Sequence, residues 1–191
     1  MSPANASDGT ANACDEPMTG CAFLVEERRP KESLEICEKY TSEGAKLLII
    51  SRDPPQQLLN NSPLSPAKVI WLTNLAGKDR MNPTAVGGMM SEIKRFVEQS
   101  KNRAVVLIDG FEYLISLNSF NLMLQFANQL RDIFVTSGAI LIIPMDMRTL
   151  DEREQALLER DFQIVSSPVT LSDGAGAVHF IQLSAGENLR T

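Results

Sequence analysis

Histidine is almost absent from this chain, which has one, His179, and its three cysteines, Cys14, Cys21 and Cys37, include no CxxC pair. A disulfide framework and a Cys/His zinc site both need more ligands at closer spacing than that. Cys37 reads as a small apolar helix residue, with Cys14 in a flexible tail and Cys21 at the edge of the fold. His179, in "AVHFIQL", alternates like a strand residue and has no neighbouring Cys, His or carboxylate cluster to make it a ligand or a base. No metal or other cofactor is expected. A basic stripe is missing too: the net charge is -6 and the pI near 4.9, which argues against a phosphate-backbone binder and against nucleic acid as a partner. Apolar runs of the roughly 20 residues that span a bilayer are lacking, as are the charged and apolar regions of a signal peptide. A soluble, cytoplasmic protein without a membrane partner is the expectation.

What is present is an ample core. Of 191 residues, 43% are hydrophobic, enough for one buried domain. Residues 1–20 carry almost no large apolar side chains and read as a disordered N-terminal tail. Residues 21–185 form one predicted domain, with 186–191 a flexible C-terminus. Within it, apolar runs at 22–27, 46–52, 68–74, 103–109 and 139–146 predict strands. Between them lie helical patterns at 31–43, closed by Gly44, and at 118–137, closed by Gly138. A further helix is entered through Asn82 and Pro83, a cap residue and a first-turn proline. It stripes Val86, Met89, Met90, Ile93, Phe96 and Val97 on one face. One helical turn is expected at "QQLLN", and a closing pair of strands at "FQIVSS" and "AVHFIQL". Trp71, between Ile70 and Leu72, is expected to be largely buried.

Continuous apolar strands alternating with amphipathic helices require a sheet covered on both faces. The fold class is α/β, three-layer, with a mostly parallel sheet. Ligands of such sheets meet the carboxyl ends of the strands, so chemistry is sought at Glu26, Glu27, Ser51, Arg52, Thr73, Asn74, Asp109, Asp146 and Arg148.

"VVLIDGFEYLI", residues 105–115, has the form of a Walker B strand whose aspartate would hold Mg²⁺. Its partner motif, GxxxxGK followed by Ser or Thr, occurs nowhere in the chain. Where that loop would sit the sequence reads "EERRPKESLEIC": two glutamates that repel phosphate, a proline without a donor, and no glycine. Asp109 can instead be architectural, accepting backbone N–H bonds from the turn that Gly110 permits.

Taken together, "SLEIC...EGAKLLIISR", "VIWLTN", "VVLIDGFEYLI" and "PMDMRTLDEREQALLERDF" resemble the family catalogued as domain of unknown function 835, found mainly in archaea. The resemblance covers about residues 22–167. It implies a RecA/KaiC-like layout without the phosphate loop, a degenerate Walker B strand, and a place in signal transduction beside PAS and kinase proteins as partners. It also implies that the strands of Ser51 and Asp146 flank that of Asp109, bringing Ser51, Arg52, Asp109, Glu112, Asp146 and Arg148 to one edge as a candidate ligand or partner site. The alternative there is a self-satisfied network such as Asp146 with Arg148 or Arg52.

"TLDEREQALLERD" opens with a capping box of Thr149 and Glu152, and its acidic first turn suits the helix dipole. Its charges serve either solvation or a docking partner. Two functions therefore stand side by side: a non-catalytic signalling or interaction module on a degenerate nucleotide-hydrolase-like fold, and a binder of nucleotide or a small polar ligand, or an enzyme, at the Asp109 edge. The missing loop favours the first.

Overall fold

The computed structural model describes residues 20–59, 64, 67–101 and 103–166. The expected tail, the strand "AVHFIQL" with His179, Cys14 and the far end of the domain lie outside these residues.

The chain alternates strands and helices in the order β1 (Cys21–Glu26), α1 (Glu32–Ser42), β2 (Lys46–Ser51), α2 (Pro55–Leu59), β3 (Lys68–Leu72), β4 (Arg80–Met81) and α3 (Val86–Gln99). It continues through β5 (Ala104–Ile108), α4 (Phe111–Leu117), α5 (Phe120–Ser137), β6 (Ile140–Met145), a 3-10 turn (Met147–Thr149), α6 (Glu152–Glu159) and β7 (Gln163–Ser166). All seven strands join one sheet in the order β4-β3-β2-β5-β6-β1-β7, and every pairing in it is parallel. From β1 the chain passes over β6 and β5 to reach β2, so β5 lies at the centre with β2 and β6 on either side.

Both faces of each central strand are apolar because both are covered. Alternation along the strands sorts the side chains cleanly. Leu48, Ile50, Val106, Ile108, Leu141 and Ile143 pack with Met89, Ile93, Phe111, Leu114, Met123, Leu130, Phe134 and Leu158 of α3, α4, α5 and α6. Phe23, Val25, Leu47, Ile49, Val105, Leu107 and Ile142 form a second cluster with Cys37 and Tyr40 of α1, and Leu58 of α2 packs against it. The methionine pair of α3 is buried as its spacing predicts, whereas Phe96 and Val86 are partly exposed at the margin of the stripe.

Gly44 and Gly138 close α1 and α5 in left-handed conformations, with φ of 88° and 73°. Three local expectations need correction. Asn82 does not cap α3: its side chain accepts the Thr84 N–H at 2.9 Å in a turn, and the helix starts only at Val86. The capping box of α6 joins Asp151 and Glu154, two residues later than Thr149 and Glu152, because the Thr149 hydroxyl is spent on the Asp146 carbonyl at 2.8 Å. Trp71 is half-buried: it lies near the edge of the sheet, its indole N–H donates to the Arg52 carbonyl at 2.8 Å, and the Arg80 guanidinium lies 5.1 Å from its ring. Among the described residues no helix is long and apolar enough to cross a membrane.

Candidate functional site at the carboxyl edge of the sheet

Glu27, Ser51 and Asp109 follow the alternation of Phe23 and Val25, Leu47 and Ile49, and Val105 and Leu107, so all three belong to the face that carries α1. Glu27 turns back over the start of that helix. Its carboxylate accepts the backbone N–H groups of Lys31 at 2.9 Å, Glu32 at 2.8 Å and Ser33 at 3.0 Å. The first turn of a helix leaves its N–H groups without partners and carries positive potential, which makes it a natural seat for an anion. Here the protein supplies that anion itself.

Asp109 is treated differently. Its Oδ2 accepts the hydroxyl of Ser51 at 2.6 Å, and that hydroxyl in turn accepts the Asp53 N–H at 3.0 Å. The partner is thus a buried serine from the next strand, not the backbone of the following turn as the sequence led us to expect. Burial pushes the Asp109 carboxyl above its ordinary range, the Ser51 hydrogen bond opposes this, and the charges of Asp53 and Glu27 add to the rise. The turn after Asp109 is a helix, α4, entered through Gly110 at φ 89°. A Cβ at Gly110 would meet the stem of Arg52 at 3.2 Å, so this glycine serves both a left-handed turn and a close approach.

Arg52 lies across that glycine with its guanidinium 3.9 Å from the Tyr113 ring centroid, a cation–π contact. Glu112, in the first turn of α4, accepts the Asp146 N–H at 2.6 Å through Oε1 and so ties α4 to the end of β6. Burial raises its carboxyl, the Asp146 N–H lowers it, and the charges of Asp109 and Asp146 raise it again. Asp146 is held by Arg148, whose Nε donates to Oδ1 at 2.7 Å and whose terminal nitrogen donates to Oδ2. This pairing, with the Arg148 N–H, draws the Asp146 carboxyl down to about 2.

The six residues singled out in the sequence therefore fall into groups. Ser51 and Asp109 pair with each other, Asp146 and Arg148 pair with each other, and Arg52 and Glu112 line a cleft of about 500 Å³ that Tyr113, Ile115, Thr149 and Leu150 also line. Among the described residues no group of three or more His, Cys, Asp or Glu side chains is arranged to hold a metal ion. Glu27 escaped the sequence reading as a structural acceptor because it stands five residues before Glu32, the first residue of α1, away from the N-cap position that cap signals mark. Tyr113 was hidden because the seven residues of α4 are too few to show a helical period.

An all-parallel α/β sheet with paired polar groups at its carboxyl edge defines the class of protein. The particular family follows from comparison: the model described as "Protein of unknown function (DUF835)" matches residues 26–162, and the chain belongs to that family. A solved structure from Pyrococcus horikoshii OT3 is similar in fold, with 12% sequence identity, a TM-score of 0.53, and 80% of this chain and 84% of that one covered. No curated protein matches the sequence.

Proposed function

We propose that this protein is a non-catalytic interaction module for signalling proteins, built on the scaffold of a RecA-like nucleotide hydrolase and acting in the cytoplasm. The observation that carries the reading is the occupation of the α1 N-terminus by Glu27, with three backbone donors on one carboxylate. A phosphate brought there would have to displace that carboxylate or meet its charge at close range, and neither favours binding. The flanking of β5 by β2 and β6 supports the scaffold assignment. Asp109, at the place of a magnesium-holding aspartate, is committed to Ser51 and faces the charge of Glu27, which supports an architectural role. PAS and kinase proteins are the partners this reading favours.

The reading is tested by phosphate release from ATP and GTP with and without magnesium. The expected result is no release above the buffer rate. Magnesium-dependent release that disappears in Asp109→Asn would overturn it, and the nucleotide-binding alternative would take its place.

A further inference from the structure

The cleft between α4 and the turn after β6 is lined by two groups of opposite charge, the Arg52 guanidinium, whose charge also reaches Asp109, and the Glu112 carboxylate. On one side the Arg52 guanidinium is pre-positioned, its stem against Gly110 and its face on Tyr113. No ion pair or hydrogen bond from that guanidinium is found among the described residues. Among the described residues its in-plane N–H fork is thus open to the bidentate grip that guanidinium gives to carboxylate. On the other side stands Glu112, half-buried, whose carboxylate accepts the Asp146 N–H through Oε1 and also its own backbone N–H, with lone pairs still to spare. Ile115 and Leu150 give the same cleft an apolar wall.

A ligand of single charge would match one of these groups and leave the other, of opposite sign, unmatched. A phosphate would meet the Glu112 carboxylate. A ligand carrying both signs, with an aliphatic arm, matches all three features. We infer that the cleft binds a small zwitterion of the α-amino-acid class with an aliphatic side chain. Its carboxylate lies on Arg52, its ammonium on Glu112, and its side chain against Ile115 and Leu150. The site goes beyond the interaction role and is independent of the plugged phosphate position on the opposite face of β5.

The test is calorimetric titration of the full chain with leucine, and with its two half-analogues, 4-methylpentanoate and 3-methylbutylamine. Saturable binding of leucine is expected, with each half-analogue weaker by about tenfold or more, equivalent to about 1.4 kcal/mol. Glu112→Gln keeps an amide oxygen for the Asp146 N–H and should fold normally, yet weaken leucine to a similar degree. Arg52→Lys keeps the charge but loses the planar fork, and should weaken it as well. Absence of saturable binding by leucine, isoleucine and valine at millimolar concentration would overturn the proposal. So would half-analogues that bind as well as leucine, or unchanged affinity in both variants.

Discussion

Glu27 and Asp109 stand on the same face at the same edge of the sheet, and the protein treats the two carboxylates in opposite ways. Glu27 receives three backbone N–H groups from a helix start that would otherwise be short of acceptors, so its charge and the helix complete each other. Asp109 receives one hydroxyl, sits in a partly buried position beside other acids, and is held with its carboxyl raised. The difference shows that a charged residue after an apolar strand has no fixed meaning. What decides its role is the supply of donors around it.

The largest effect should come from removing the better-served of the two. Glu27→Ala leaves the first turn of α1 without its acceptor and should lower stability by about 2 kcal/mol in urea denaturation, in the range of caps and of hydrogen bonds to charged groups. Glu27→Gln, which keeps an acceptor oxygen, should recover part of the loss. Equal stability of Glu27→Ala and the parent would erase the contrast.

Next in size is Gly110→Ala, which should cost about 1–2 kcal/mol because a side chain is forced into the left-handed region against Arg52. A variant that melts like the parent would mean that the turn relaxes freely, and the Asp109 end would then be less rigid than described.

Asp109 itself should respond in the opposite direction from Glu27. A carboxyl raised in the folded state binds its proton more tightly there than in the unfolded chain. Its contribution is therefore most favourable below the ordinary aspartate range and is lost as pH rises through the raised value. Asp109→Asn can still accept the Ser51 hydroxyl without carrying the charge, so its unfolding midpoint at pH 7 should rise. The pH profile of the variant should lack that falling component. A lower midpoint for Asp109→Asn at neutral pH would show that its ionised form is needed, as in a ligand site.

The smallest effect is expected at Ser33, whose buried hydroxyl has no hydrogen-bond partner among the described residues although its N–H serves Glu27. Ser33→Ala removes an unsatisfied group and should leave stability unchanged or raise it by up to about 1 kcal/mol. A clear loss would point to an acceptor for that hydroxyl.

The fold was legible because its signals are repeated along the chain. Five apolar runs became β1, β2, β3, β5 and β6 within a residue or two, and the stripe from Met89 to Val97 fixed the buried face of α3. The site was legible only in part. That Ser51 and Asp146 flank Asp109 came through family likeness, since strand order depends on crossovers that no local pattern records. Short elements were lost for a physical reason: seven residues of α4 between Gly110 and Asn118 offer barely two turns, too few to show a period. Cap positions slipped by three residues at Asn82 and two at Thr149 because several Asn, Thr and Asp side chains compete for the same backbone donors, and only the folded geometry chooses among them.

In the function proposed above, Glu27 holds the anion position at the start of α1 and thereby keeps nucleotide out. A thermal-shift series on the full chain with ATP, ADP and GTP, each with and without magnesium, tests it directly. A ligand at 100 times its dissociation constant would stabilise the protein by roughly 2.7 kcal/mol, which such a scan resolves. The melting temperature is expected not to move with any of the nucleotides. A magnesium-dependent rise that vanishes in Asp109→Asn would contradict it.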